Sequence, residues 1–502
     1  MPLSTNITEN TFARWIFYNR QHSKLLILSL LAIIIQFVLF KERYPFPNFL
    51  PDSYSYLLAA FNNVDINIWP IGYSRFLRLL SCFTASDTAL VLFQYLFLQG
   101  TVLYLLFTAM YFFKPPKIVV SILFAGSLLN PLLMHVSNFV SSDALFASLS
   151  IIWFTQLLWI LFQPSNGIWI THAIVLLLVF TVRYNALYYP LVSILVISYA
   201  TLNFKKKVGA IAMIILLISS FMLYTVRGYR LKTGRVQFSA FGGWQLASNA
   251  LFAYAHVKQP QSAITRKLHD LLTVTNKHMD SLFLLAHRPD SVLGIYYLWN
   301  EQAPLKQYMH QQYRQDTITD SFKKWASMGP LYSEFGSYLV RNYPLAFLRY
   351  YLLPNFKNYY SPEAEFLAEY NMRRDSVDDI AKIWFHYSTH RVYANVSGYK
   401  IRLADYFPVA LAVINLLFIL GYVAVLSMRS YILMDAGLNK ALKFFAFLWS
   451  INVLFSVMAS PVVMRYQVFP MVVTYVFMVQ VVAVLVEYAC VKDEPRKRTL
   501  AI

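Results

Sequence analysis

Charged side chains in an otherwise apolar chain mark the places where chemistry can occur. Asp52 lies in Pro51-Asp52-Ser53-Tyr54-Ser55-Tyr56-Leu57. A carboxylate there can act as a general base toward a hydroxyl. It can equally cap the first turn of a helix opening at Pro51. Asp143, in Ser141-Ser142-Asp143, opens a long apolar run. As a cap it would stabilise that helix by about 1 kcal/mol. At that depth a carboxylate must be paired or wet, so it can also hold a cation or orient a substrate. Arg183, in Val182-Arg183-Tyr184-Asn185, and Arg465, in Met464-Arg465-Tyr466, stand at the ends of other apolar runs. A guanidinium either grips phosphate with a two-pronged hydrogen bond or snorkels to lipid headgroups. Two of them, opposite loops that hold Asp52 and Asp143, favour an anionic ligand.

Other candidates are weaker. Asp65 is a rival to Asp52 as base. The segment Trp69-Pro70-Ile71-Gly72-Tyr73-Ser74-Arg75-Phe76 suits an interfacial helix or plain aromatic anchoring. His386 and His390 have the i, i+4 spacing of zinc ligands on a helix, but no acid lies between them and no third ligand is obvious. Glu334, Glu363 and Glu365 are carboxylates with no distinguishing context. Phosphate-binding glycine loops and the serine-hydrolase elbow are absent from the sequence.

The elements that must position these residues follow from composition. The chain has 502 residues, 58% hydrophobic and only 13% charged, with mean hydropathy +0.48. A soluble chain needs more charge to cover its surface; a bilayer removes that need. The net charge of +19 does not signal nucleic acid, because many basic residues fall in short segments between apolar runs. Cys82 and Cys490 give no disulfide framework or metal spacing, and the topology sets them near opposite membrane faces. About ten spans are expected: 24–40, 85–113, 118–135, 144–162, 168–182, 187–204, 208–226, 406–428, 442–460 and 468–488. The third, fifth and sixth are short or interrupted.

Orientation follows from Lys and Arg in short loops. The segments 114–117, 205–207, 429–443 and 492–498 are all basic, which puts both termini in the cytoplasm of a multi-pass inner-membrane protein. The first loop (41–84), 136–143, 183–186 and 461–467 then lie outside. So does 227–405, a region long enough for its own core, with helix-like stretches such as 264–279. The expected fold is an all-α polytopic membrane protein. An N-terminal module (1–226) precedes a mainly helical outer domain (227–405), three last helices and a basic tail (406–502).

In this order along the chain, the motifs resemble the GT-C superfamily of membrane glycosyltransferases, which includes protein O-mannosyltransferases, aminoarabinose transferases and many bacterial relatives. The matches are Asp52 after the first span, Trp69-Pro70-Ile71-Gly72-Tyr73, Ser142-Asp143, Arg183-Tyr184-Asn185 and Arg465-Tyr466 with Pro470. They cover about the first 190 residues and the last 40. The resemblance implies a sugar donor carried on a polyprenyl phosphate and an extracytoplasmic acceptor that is a glycan, a lipid or a protein. It implies that Asp52 takes the acceptor proton in one inverting displacement. Arg183 and Arg465 then stabilise the departing lipid phosphate. Asp143, Arg183, Arg465, Tyr56 and Tyr73 are the substrate-binding candidates. Some relatives use a divalent ion, for which Asp143 is the candidate ligand.

Three rival readings predict different things. A flippase for lipid-linked saccharide calls for repeats and broken helices at mid-bilayer, and the sequence has no clear repeat. A membrane scaffold predicts that Asp52 is dispensable. A channel calls for polar residues along its spans.

Overall fold

Lipid offers the backbone no hydrogen-bonding partner, so spanning segments close their own hydrogen bonds as helices. The structure, a computed structural model, describes residues 11–165, 167–257, 266–285, 288–396, 398–432 and 434–499. Side chains of the basic tail, 492–498, fall outside the described set. The protein is an all-α polytopic membrane protein, and among the described residues there are no strands.

The N-terminal part runs through α1 (Phe12–Phe17), α2 (Arg20–Arg43), α3 (Pro51–Phe61), α4 (Gly72–Ser81), α5 (Asp87–Phe113), α6 (Lys117–Leu128), α7 (Pro131–Ser137) and α8 (Ser142–Phe162). It continues through α9 (Ile168–Val182), α10 (Tyr189–Tyr199) and α11 (Phe204–Thr233). The outer region holds α12 (Ala240–Tyr254), α13 (Arg266–Phe283), α14 (Tyr296–Trp299), α15 (Pro304–Gln312), α16 (Ser321–Ser327), α17 (Gly329–Asn342), α18 (Pro344–Phe347), α19 (Leu353–Tyr360) and α20 (Asp379–Phe385). The chain ends with α21 (Phe407–Ser427), α22 (Ala436–Ala459) and α23 (Val468–Thr499).

Among the described residues, eight helical segments are long and apolar enough to cross a bilayer. They are α2, α5, the broken pair α6–α7, α8, α11, α21, α22 and the segment Met464–Cys490. This revises the expected ten. The fifth and sixth stretches become α9 and α10, of 15 and 11 residues. At 1.5 Å per residue these are about 22 and 16 Å long, short of a hydrocarbon core of about 30 Å. The cause is local. Arg183 leaves the helix with extended backbone (φ −151°, ψ 138°), and Pro190 sits in the first turn of α10. The turn between them carries Arg183, and both helices pack on α8 and α11.

Successive helices alternate in direction, which sorts their ends into two groups. At one end, Phe12 packs its ring 4.9 Å from Trp159. Lys440 Nζ there donates to the Leu161 carbonyl at 3.0 Å and lies 5.9 Å from the Tyr199 ring. The basic segments 114–117, 205–207 and, among the described residues, 429–432 and 434–443 belong to this lower end. The upper end collects the starts of α5, α8 and α23, the ends of α2, α7, α9, α11 and α22, and the outer region. Cys82 and Cys490 are both free and exposed.

The outer region, expected as one domain over 227–405, packs as two units. From Tyr229 to Tyr351 it has its own core around Trp244, Leu271, Tyr297 and Tyr332. Leu367, Val377, Ala381, Phe385 and Val392 instead join the core of the membrane bundle beside Phe49, Leu50 and Leu57. This second unit is tied down on the first loop and on the start of α5. Asn371 N donates to Asn48 Oδ1 at 2.8 Å, and Tyr387 donates to Asp87 at 2.6 Å. Asn355, fully buried on α19, clasps the end of α22. It donates to the Val457 and Ser460 carbonyls and accepts from Val462 N, each at 2.8 Å. These bonds satisfy carbonyls that a helix C-terminus leaves orphaned, and they fix where the chain enters Arg465.

In the first unit, α12 and α17 approach so closely that small residues are required. A Cβ at Gly243 would overlap the Gly329 carbonyl, and one at Gly336 would lie 2.7 Å from Ala247 N. Gly243→Ala is therefore expected to destabilise this unit by about 1–3 kcal/mol. A lowered unfolding temperature of the detergent-solubilised chain is the readout, with Gly242→Ala as control because its nearest neighbour is 3.8 Å away.

Candidate active site

The first and second upper loops are joined before any side chain is considered. Asn48 N donates to the Asn138 carbonyl at 2.8 Å, and Val140 N donates to the Asn48 carbonyl at 3.1 Å. This pairing sets the start of α3 beside the start of α8. Neither aspartate is spent as a helix cap. Ser53 Oγ accepts from Leu50 N at 2.8 Å on α3, and Ser141 is the cap of α8. Asp52 and Asp143 each occupy the second position of their helix, so both carboxylates remain available.

The four charged residues singled out in the sequence meet at one place. Arg465, on the 3₁₀ turn Met464–Gln467, is the hub. Its Nη1 lies 3.4 Å from Asp143 Oδ2 and 3.5 Å from Asp52 Oδ2. Its Nε lies 3.2 Å from Glu365 Oε2. Arg183 pairs with the other oxygen of Asp143, and Ser141 Oγ donates to Asp143 Oδ2 at 2.7 Å. Both guanidiniums lie over the Tyr466 ring, at 4.5 Å for Arg183 and 4.8 Å for Arg465. The Asp143 side chain is 0% exposed, against 19% for Asp52 and 21% for Glu365. That difference sorts the acids. Asp143 has both oxygens engaged and acts on the two arginines. Asp52 and Glu365 can meet a ligand, and Asp52 Oδ1 has no hydrogen-bond partner among the described residues.

Burial sets the proton affinity of the exposed pair. Desolvation pushes the Asp52 carboxyl above the usual carboxylate range; Arg465 opposes that push and Asp143 adds to it. Burial likewise raises Glu365, opposed by Arg465 and reinforced by Asp52. A carboxylate shifted up in this way is a better proton acceptor than an exposed one.

Two cavities meet here. One, of about 360 Å³, is lined by Asp52, Ser55, Trp299, Glu365, Phe366 and Arg465. The other, of about 770 Å³, is lined by Tyr56, Arg183, Asn185, Leu187, Phe455 and Met458. Trp69, Phe241, Gln245, Ser460 and Tyr466 line both, so the two cavities adjoin along these residues. Leu187 and Met458 are exposed apolar residues on the outside of the bundle, so the larger cavity opens at apolar surface there. Tyr56 is held by a 3.0 Å hydrogen bond between its hydroxyl and Ser142 Oγ.

The remaining candidates lie elsewhere. Tyr73 lines neither cavity. It is fully buried behind Tyr56, with ring centroids 4.9 Å apart, and donates to Gln94 at 2.8 Å. Asp65 is exposed and tied to Arg75 at 2.8 Å and Tyr224 at 2.6 Å. Glu334 pairs with Lys267, and Glu363 contributes backbone pairing to Val463. The zinc reading of His386 and His390 does not hold. Helix α20 ends at Phe385, His386 takes left-handed backbone (φ 55°), and His390 pairs with Asp379 at 2.7 Å. Asp143 does not fit a metal ligand either, since two arginines and a serine occupy its oxygens. Among the described residues, no three His, Cys, Asp or Glu side chains gather as a metal site.

Glu365, one of the carboxylates without distinguishing context, is the charged site residue that the sequence did not single out, and Tyr466 was given only as part of the Arg465-Tyr466 match. Glu365 has left-handed backbone (φ 47°), a conformation costly for a residue with a Cβ. The Glu363–Val463 bridge holds its segment against the loop that carries Arg465. No family model, curated protein or solved structure matches this chain. Function must therefore be argued from the site itself.

Proposed function

We propose that the chain is a membrane glycosyltransferase that moves a sugar from a polyprenyl-phosphate donor to an extracytoplasmic acceptor, with inversion. The observation that carries this reading is the pair of adjoining cavities. On one side stands a carboxylate with a free oxygen, and on the other a guanidinium above a lipid-facing cleft. The donor enters between Leu187 and Met458 with its chain in lipid and its phosphate at Arg183. The acceptor occupies the smaller cavity with its hydroxyl at Asp52. The acceptor oxygen attacks the anomeric carbon as Asp52 takes the hydroxyl proton. The bond from that carbon to the phosphate oxygen breaks, and the electron pair leaves on the lipid phosphate. That phosphate needs charge stabilisation rather than a proton, and fixed guanidiniums supply it without reorganising.

Sidedness is part of the proposal. The lower end carries the basic loops, so the positive-inside rule places it in the cytoplasm. The site then faces the outside of an inner membrane, where a lipid-linked sugar is the natural donor. Impermeant thiol labelling of a Lys206→Cys variant that also carries Cys82→Ser, in intact cells, checks this assignment, because Cys82 is exposed on the opposite side. Labelling from outside would reverse it.

Transfer from radiolabelled polyprenyl-phosphate sugars by the chain in proteoliposomes tests the activity. The pH profile gives a sharper readout. Only ionised Asp52 can accept the proton, and its affinity for protons is raised, so activity is lost as pH falls through that raised value. The acid limb of kcat/KM is expected clearly above pH ~4, where an ordinary Asp titrates. A rate flat down to pH ~4 would remove Asp52 from the proton transfer.

A further inference from the structure

Resting on that reading, we propose that the acceptor is a saccharide whose ring stacks in an aromatic corner made by Trp69, Phe241 and Trp299. These three rings come from three separate parts of the chain and meet in the smaller cavity. Trp69 lies 4.8 Å from Phe241 and 6.1 Å from Trp299, and Phe241 lies 6.3 Å from Trp299, centroid to centroid. Trp299 is braced from behind. It stacks on Trp325 at 6.3 Å, and Trp325 stacks on Trp244 at 5.6 Å, both with rings 11° from parallel. Such a wall is rigid and loses little freedom on binding.

The chemistry of the wall matches a pyranose. A sugar ring presents C–H bonds on its faces and hydroxyls around its rim. Aromatic faces attract the weakly positive C–H edges through their quadrupole. The rim needs acceptors and donors. Asp52, Ser55, Gln245 and Glu365 line the same cavity. Gln245 donates its amide to Asn249 at 2.8 Å, and its carbonyl oxygen has no partner among the described residues. The indole N–H groups of Trp69 and Trp299 also have none among the described residues. Both side chains are only partly buried, so these donors are available to a ligand. The volume, about 360 Å³, falls within the range of small-ligand sites.

A lipid acceptor fits this cavity poorly. Its lining comes from α3, the 68–69 segment, α12, residues 294–299, 365–366 and the 460–466 turn. The lipid-facing residues Leu187, Phe455 and Met458 belong to the other cavity.

The test is direct binding to the full chain in lipid nanodiscs. The probes are trisaccharides of glucose, galactose, mannose and N-acetylglucosamine, read by tryptophan fluorescence and saturation-transfer NMR. At least one is expected to bind saturably. Trp299→Ala should weaken binding at least tenfold, and Trp299→Phe less. Phe241→Ala, on a different element, provides a second variant if Trp299→Ala fails to fold. No binding by any trisaccharide, or equal binding by wild type and both aromatic variants, overturns the saccharide assignment. If sugar transfer to a lipid or a serine/threonine peptide is then detected from the polyprenyl-phosphate donor, the transferase reading stands without it. Binding that depends on Trp299 with no transfer from any donor leaves the saccharide site standing and removes the transferase reading.

Discussion

Asp52→Asn is expected to slow sugar transfer by ~10²–10⁴-fold, the usual contribution of a positioned general base. The substitution keeps the size of the side chain and an oxygen that can still accept from Arg465, while removing basicity. The fold should not register the change. Ser53 rather than Asp52 caps α3, and the Asp52–Arg465 contact is long, at 3.5 Å. Unfolding temperature and donor binding in the variant should match the wild type, so that kcat falls while the donor KM stays put. A purely structural role for Asp52 predicts the reverse: lowered thermal stability with residual activity in whatever folds. Transfer at the wild-type rate by a folded Asp52→Asn chain would end the proposed mechanism. Asp52→Glu retains a base about one bond further along and should fall between the two, since catalytic geometry tolerates little displacement.

The reason these residues were legible in the sequence is energetic. Charge in an apolar context is costly, so Asp52, Asp143, Arg183 and Arg465 stood out against their neighbours, and the structure brings all four together. The long apolar runs and basic connecting loops gave the all-helical membrane fold by the same logic. Glu365 offered no such contrast. It lies in the polar stretch Ser361-Pro362-Glu363-Ala364-Glu365. Its place depends on a left-handed backbone and a bridge to residue 463, roughly a hundred residues away. The length of α9 depends on where the backbone turns extended at Arg183, which the continuous apolar run did not reveal. In a chain that is 17% aromatic, nothing local distinguishes Trp69, Phe241 and Trp299 from other rings. The helical spacing of His386 and His390 misled because it presumed a helix that stops at residue 385.

Arg465→Ala should have the broadest effect of any single substitution, because one guanidinium serves three carboxylates. Removing one partner of a buried ion pair costs about 3–5 kcal/mol, mostly from the charge left behind. Asp143 is the most affected, since its side chain is fully buried and would keep only Arg183 and Ser141. Asp52 and Glu365 can partly recover through the cavity they face. Arg465→Lys retains the charge, but a single ammonium cannot span Asp52, Asp143 and Glu365 as the planar guanidinium does. It should recover part of the stability and little of the transfer rate. A second change separates charge balance from catalysis. Arg465→Met combined with Glu365→Gln removes one carboxylate with the guanidinium, and should unfold at a higher temperature than Arg465→Met alone while remaining inactive. Recovery of both stability and transfer in the double variant would mean that Arg465 only balances charge, and the stabilisation of the leaving phosphate would then fall to Arg183 alone. An Arg465→Ala chain as stable as the wild type would contradict the three-carboxylate hub itself.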